Sequence, residues 1–246
     1  VIAATQDRFL GGRIVLSQPQ NGFRAGLDAV MLAAAVPAGE GEDVLELGAG
    51  AGTASLCLAA RVPDGAIVGV EIDQTLAALA NDNAKENRFE TRLRFAQADV
   101  FDLPPTLKRD FAHVFCNPPF HYDAGAASPD AARDRALRDK GLLGDWMEVG
   151  LKRTASGGTF TTIIRADRLG EVLARLPEQG TLIFPLWPRV GSQAKRVIVQ
   201  ACKGSRAQAA ILPGLVLHET DGRYTPQADA VLRGEGLKVV RTLDAL

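Results

Sequence analysis

The sequence predicts an α/β fold: a doubly wound, mostly parallel seven-stranded sheet, closed at one edge by an antiparallel hairpin and preceded by a β-hairpin and a helix. Three observations predict it. From Asp43 onward, short apolar strand-like runs alternate with helix-length segments, the pattern of a parallel sheet covered on both faces. The first of these strands enters a glycine-rich turn that opens a helix. The last two, TLIFPLW and KRVIVQA, have only Pro188 to Ala194 between them. A parallel crossover needs a dozen or more residues, so these two pair antiparallel.

Taken in order, Arg8 to Ser17 alternates around Gly11-Gly12 and reads as a hairpin. Ala25 to Val36 is an apolar helix stopped by Pro37. DVLELG is a strand, Thr53 to Arg61 a helix, AIVGVEI a strand, and Gln74 to Asn87 a polar-faced helix. RLRFAQ and FAHVFC are further strands, followed by a loop rich in Ala, Asp and Arg from His121 to Lys140. A helix near Leu142–Thr154, the strand GTFTTII and a helix at Leu169–Leu176 lead to the closing pair. No repeat or linker separates two domains. The expected organisation is one domain over 1–246, with a hairpin and helix in 1–40, a core in 41–205 and a C-terminal extension in 206–246.

With 46% hydrophobic and 23% charged residues in 246, the chain can bury a large core without staples. Cys57, Cys116 and Cys202 are widely spaced and show no metal-ligand or CxxC spacing, which points away from a disulfide framework or a zinc site and towards a reducing cytoplasm. No apolar run reaches the roughly 20 residues of a membrane span. The net charge of −1 argues against nucleic-acid binding by the whole surface. Charge is nevertheless uneven: Arg189, Lys195, Arg196, Lys203 and Arg206 fall between Gln179 and His218 with no acid among them. Any one of them alone reads as a solvated charge; the expectation is that they act as a cluster.

Glu46-Leu-Gly48-Ala-Gly50-Ala-Gly52-Thr53 joins the first core strand to its helix. Alternate glycines let backbone approach a ligand, and the helix aims its free N–H groups at the same point, which suits a carboxylate or phosphate. The loop lacks both the GxGxxG dinucleotide fingerprint and the GK[ST] of a nucleoside-triphosphate site. Glu46 precedes the glycines, poorly placed for a pyrophosphate and well placed for an ammonium group, directly or through water. Glu71 ends the second strand roughly 20 residues on, where an acid takes both hydroxyls of a ribose. Asp73 is expected to cap the next helix. Asp99, after the third strand, is a candidate acceptor for an adenine amino group. A ribose, an adenine amine and an amino-acid end together describe S-adenosylmethionine.

Asn117-Pro118-Pro119-Phe120 follows FAHVFC, at the strand end where an open α/β sheet binds ligands. A conjugated exocyclic amine is a poor nucleophile. The Asn117 side-chain oxygen and the Pro118 carbonyl are placed to hold its two N–H groups and direct its lone pair at a methyl group. Proline contributes stiffness and no competing donor. Phe120 can stack on a base, a contact worth about 1–3 kcal/mol in single-strand binders.

With these elements in hand, the sequence resembles the class I methyltransferases, and its tetrapeptide resembles the [DN]PP[YF] element of enzymes that methylate adenine N6, cytosine N4 or a protein glutamine amide. The resemblance extends through QPQNGFRAGLDAV near the N-terminus and PRVGSQAKRVIVQ and LHETDGRYTPQADAVL near the C-terminus. There it is to the bacterial tRNA adenine-N6-methyltransferases that act on adenine 37 of a valine tRNA. It implies S-adenosyl-L-methionine as cofactor, a tRNA anticodon loop as partner, and a segment from Phe23 through Arg24 to Asp28 that closes over the cofactor. Asn117, Pro118, Pro119 and Phe120 would be the catalytic group. No metal, membrane or obligate protein partner is implied, and a monomer or weak homodimer is expected. Arg133, Arg135 and Arg138 are further candidates for phosphate contacts.

Other readings stay open. A small-molecule O-methyltransferase usually needs a metal or a base, and His113, His121 and His218 form no evident cluster in sequence. Protein glutamine methylation shares the tetrapeptide, although the N-terminal segment is short for the helical domain of those enzymes. A non-catalytic cofactor- or RNA-binding protein is the reading from another class.

Overall fold

The protein was analysed as a computed structural model, which describes residues 4–20, 24–119 and 143–240. Phe23, Phe120, His121, Arg133, Arg135 and Arg138 lie outside the described residues.

Strands β1 (Ala4–Phe9) and β2 (Ile14–Pro19) make a separate antiparallel hairpin, with Phe9 opposite Ile14. Helix α1 (Leu27–Ala35) follows and ends before Pro37. The alternation then runs β3 (Asp43–Leu47), α2 (Thr53–Arg61), β4 (Ala66–Glu71), α3 (Gln74–Glu86), β5 (Leu93–Gln97) and β6 (Phe111–Cys116). After the 120–142 stretch come α4 (Leu143–Arg153), β7 (Thr154–Arg165), α5 (Leu169–Leu173), β8 (Thr181–Trp187) and β9 (Arg196–Cys202). Two short strands, β10 (Ala210–Ile211) and β11 (Leu215–Val216), precede α6 (Pro226–Leu232).

The main sheet has the order β10-β8-β9-β7-β6-β3-β4-β5, with β11 also on β8. Every strand is parallel to its neighbours except β9, which is antiparallel to both β7 and β8. The seven expected strands and the antiparallel pair are all present. The sheet is nevertheless wider than seven, because residues 210–216 of the C-terminal extension add β10 and β11 along β8. Strand β7 also begins earlier than GTFTTII, at Thr154, with a register irregularity against β6 between Phe111 and His113. Gly158 permits this: a Cβ there would lie 2.3 Å from the Ala112 carbonyl oxygen.

Each face of the sheet has its own core. One buries Val44, Ile67, Phe115, Ile163 and Ile198 beneath α1, α2, α3 and α6; the other buries Leu45, Leu47, Val114, Phe160 and Val199 beneath α4 and α5. Strands buried on both sides read as continuous apolar runs, which is why their sequences lack alternation. Caps fix where the helices begin. Asp73 Oδ1 accepts from Thr75 N at 2.8 Å and Leu76 N at 3.1 Å, the capping role read from sequence. Thr225 Oγ1 accepts from Ala228 N ahead of α6, with Pro226 in the first turn.

The N-terminal hairpin is joined to the core by side chains rather than by sheet. Asn87 accepts from Val15 N at 2.9 Å and donates to Val15 O at 2.7 Å. One turn back, Asn83 accepts from Ser17 N at 2.8 Å and donates to Ser17 O at 3.0 Å. Residues two apart on a strand and four apart on a helix are both spaced by roughly 6–7 Å. The two asparagines therefore satisfy the free edge of β2 as a neighbouring strand would.

Candidate cofactor and substrate site

Register places the site. Leu47 of β3 lies opposite both Cys116 of β6 and Val70 of β4, and Glu71 lies opposite Gln97 of β5. The residues that follow these strands therefore form one line along the carboxyl edge. Asn117 leads into the glycine loop at 48–52, then Glu71, then Asp99.

Gly48, Gly50 and Gly52 all have positive φ, at +70°, +56° and +86°, so the loop takes a course that residues with a Cβ rarely follow. A Cβ on Gly50 would meet nothing within 4 Å, whereas one on Gly48 would lie 2.8 Å from the Trp146 ring. The loop is thus open on one side and backed by an indole on the other. Trp146 is itself held edge-on to Phe101, ring centroids 5.8 Å apart. Glu71 pins the loop: one oxygen accepts from Gly50 N at 2.8 Å, the other from Asp73 N at 2.9 Å. Each oxygen retains a lone pair, which suits the two hydroxyls of a ribose. Asp99 accepts from Phe101 N at 2.9 Å beside the end of β5.

Glu46 sits deeper than its sequence position suggests. Its carboxyl is fully enclosed and accepts hydrogen bonds from both the backbone N–H and the hydroxyl of Ser55. Burial pushes its pKa up to about 8, against the opposing effect of the Ser55 hydrogen bonds. Thr53, in the first turn of α2, is buried with its hydroxyl unpaired among the described residues.

Asn117 carries the most telling feature. Its side-chain oxygen is buried and has no hydrogen-bond partner among the described residues. A buried acceptor without a donor costs about 1–3 kcal/mol, so such an atom marks a place where a ligand's N–H belongs. Pro118 beside it is buried and Pro119 exposed.

The residues expected to close over the cofactor are engaged elsewhere in this structure. Arg24 pairs with Asp7 of β1 at 2.5 Å, and Asp28 pairs with Arg196 of β9 at 2.8 Å. The line of strand ends thus brings together Asn117, Gly48, Gly50, Gly52, Glu71 and Asp99, with Glu46 one layer beneath, while Arg24 is held on the N-terminal hairpin and Asp28 on β9. His113 is remote from the site in its contacts, held between Glu42 and Thr159 at 2.9 and 2.8 Å. His218 stacks on Tyr224.

Sequence reasoning missed three side chains. Ile72, next to Glu71, is an apolar residue left 50% exposed at the strand end. Its sequence signal, an apolar residue flanked by Glu71 and Asp73, was indistinguishable from the last residue of a strand. Trp146 and Asn83 lie far from the loop in sequence and carry no local signal. Asn83 donates to the Ala51 carbonyl at 3.0 Å, tying α3 to the glycine loop.

Residues 25–139, which span the glycine loop and Asn117, match the methyltransferase small domain family. The chain is an S-adenosylmethionine-dependent methyltransferase of class I fold. Among relatives of this methyltransferase is a tRNA1(Val) (adenine(37)-N6)-methyltransferase from Yersinia enterocolitica, 28% identical over 216 residues, spanning 85% of this chain and 84% of that one. An enzyme of the same name from Shewanella woodyi is 27% identical over 229 residues, covering 88% and 93%. A solved structure described as a predicted O-methyltransferase from Agrobacterium tumefaciens superposes with a TM-score of 0.73 at 29% identity, covering 87% of this chain and all of that one.

The site of this methyltransferase fits its cofactor on its own geometry. The open loop accommodates a close backbone approach, Glu71 offers acceptors for a diol, and the start of α2 offers N–H groups and the unpaired Thr53 hydroxyl to a carboxylate. Among the described residues, no group of three or more His, Cys, Asp or Glu side chains is placed to hold a metal ion. No described helix is long and apolar enough to cross a membrane.

Proposed function

We propose that this methyltransferase modifies the exocyclic N6 of an adenine in the anticodon loop of a tRNA, with position 37 of a valine tRNA as the first candidate. The observation that carries the reading is the buried, unpartnered side-chain oxygen of Asn117 at the end of β6. An acceptor in that state recognises an N–H, and a primary amine conjugated to a ring presents two. Asn117 Oδ1 takes one and the Pro118 carbonyl the other. The amine is then held with its lone pair turned along the sheet towards the glycine loop. S-adenosylmethionine, when bound, supplies an electrophilic methyl group carried on a sulfonium. The remaining work is positional and falls to this chain's own residues. Gly48 and Gly52 let the loop close on Trp146 and Phe95, Gly50 lets its backbone approach the cofactor, Glu71 holds the ribose, Asp99 the adenine amine, and Ile72 lies against the ring. Thr53 and the α2 N-terminus take its carboxylate.

Glu46, one layer beneath the loop, answers the ammonium group carried on the same carbon as that carboxylate, directly or through water. Its proton is retained while it is enclosed against Ser55, and an ammonium group brought near it favours the ionised form. Phe120, three residues after Asn117 in sequence, would stack on the base. The names of the Yersinia and Shewanella relatives support the tRNA substrate. An adenine in an anticodon loop is already partly unstacked, so its capture costs less than extrusion from a duplex.

The test is methyl transfer from S-adenosylmethionine to unmodified valine tRNA, read by nucleoside mass spectrometry. The expected product is N6-methyladenosine at a single position. A methylated oxygen in the product, or no transfer to that tRNA or to bulk unmodified tRNA while the cofactor still binds, would overturn the reading.

A further inference from the structure

The basic residues between Gln179 and His218 do not share one surface. Strand β9 separates them: Arg196 opens it at the carboxyl edge, and Lys203 follows its far end, about 20 Å away at ~3.3 Å per residue. There Lys203 Nζ donates to the Thr154 carbonyl at 2.6 Å, with Arg206 beyond it. The single cluster expected from sequence is therefore two groups on opposite edges of the sheet. Only Arg189, Lys195 and Arg196 lie on the edge that carries Asn117.

Within that group the charges are not equivalent. Arg196 is paired with Asp28, as its neighbours Arg165 and Arg168 are paired with Asp167 and Glu171. Arg189 and Lys195 are exposed, and no side-chain hydrogen bond or ion pair holds either of them among the described residues. They flank the β8–β9 turn, which is preset: Ser192 N donates to the Arg189 carbonyl at 3.1 Å, and Gly191 has φ +76°. At its tip Val190 is 85% exposed. The adjacent loop adds Glu219 and an internally paired Asp221–Arg223, so the surplus positive charge belongs to the turn.

Register gives its position relative to the reacting centre. Cys116 is level with Thr162 of β7, and Arg196 is level with Arg165, three residues further along. The base of the turn therefore stands about 10 Å beyond the end of β6 and two strand spacings, about 10 Å, to the side. That distance is within reach of a polynucleotide whose base is held at Asn117.

We propose that the β8–β9 turn is the docking surface for the RNA backbone beside the target nucleotide, with Arg189 and Lys195 each contacting a phosphate and Val190 seated against the sugar between them. This inference rests on the RNA reading above. Unpaired cations on a stiff turn match the phosphate contacts that set register and orientation in nucleic-acid complexes.

The test compares wild type, the double variant Arg189→Ala/Lys195→Ala, and Arg206→Ala, which removes an exposed cation from the opposite edge. Steady-state methylation of tRNA is measured over a salt series, and S-adenosylmethionine affinity by calorimetry. The double variant should raise KM for tRNA about tenfold or more and keep kcat within about twofold. It should also flatten the log–log salt slope by about 1.5, at 0.7–0.9 per lost phosphate contact, with cofactor affinity unchanged. Arg206→Ala should behave as wild type. A double variant with wild-type KM and salt slope overturns the inference, as does an equal effect from Arg206→Ala. A wild type that binds cofactor and methylates no RNA instead overturns the substrate reading itself.

Discussion

Asn83 stands 3.0 Å from the carbonyl oxygen of Ala51, so the helix residue that holds the edge of β2 through Ser17 also holds the glycine loop. Two segments distant in sequence, the N-terminal hairpin and the cofactor loop, therefore share one buried amide. Asn87 repeats the contact to β2 at Val15 and makes none to the loop.

This difference separates stability from binding. Asn83→Ala strands three backbone groups and should cost about 2–3 kcal/mol in urea unfolding, with Asn87→Ala costing somewhat less. Only Asn83→Ala should also weaken S-adenosylmethionine binding several-fold, because only it releases Ala51. Equal affinities in the two variants would show that the loop holds its shape without the amide.

Asn117→Ala should lower kcat by about a hundredfold or more, the scale of a misplaced reactant. Because the Asn117 oxygen has no hydrogen-bond partner among the described residues, the variant should unfold like wild type and bind S-adenosylmethionine within about threefold of it. A parallel loss of cofactor affinity would assign the side chain to the cofactor half of the site.

Glu46 gives the pH dependence of stability a definite sign. Its carboxyl titrates near 4.5 when unfolded and at about 8 when enclosed against Ser55. Between these values the folded state holds the extra proton, so this group's contribution to stability falls as pH rises from about 4.5 through about 8. In cofactor-free protein, Glu46→Gln should remove that decline, and its advantage in Tm over wild type should be larger at pH 8 than at pH 5. Parallel Tm profiles for the two proteins would contradict the assignment.

Phe95 is wedged over two glycines. A Cβ on Gly69 would lie 2.3 Å from its ring, and one on Gly52 2.6 Å. Gly69→Ala should therefore destabilise by about 1–3 kcal/mol through overpacking, and Phe95→Leu should recover part of that loss in the double variant. Additive costs in the double variant would locate the strain elsewhere.

The fold was legible because its signals are local. Apolar runs, the cap at Asp73 and the shortness of Pro188–Ala194 each act within a few residues. The candidate site was legible where it follows strand ends, as at Gly48–Gly52, Glu71 and Asn117. Asn83 and Asn87 read only as a polar helix face, because a side chain that satisfies a distant strand edge has the same sequence as one that faces water. The depth of Glu46 was not legible, because strand position does not reveal that Ser55 covers its carboxyl. The basic run read as one cluster, because proximity in sequence hides the length of β9. Arg196 looked available until its partner, 168 residues away at Asp28, was in view.

The single antiparallel strand has a wider consequence. Because β9 runs back from the carboxyl edge that β8 reaches, the chain exposes the 188–195 connection there, well away from the strands that carry Gly48, Glu71 and Asp99. On the proposed reading, methyl donor and acceptor approach from opposite wings of one sheet, which join along the β3–β6 seam. Insertions or charge changes between Pro188 and Lys195 can accumulate without disturbing the donor wing. A lineage built on this plan is free to change its clientele while its methyl supply stays fixed.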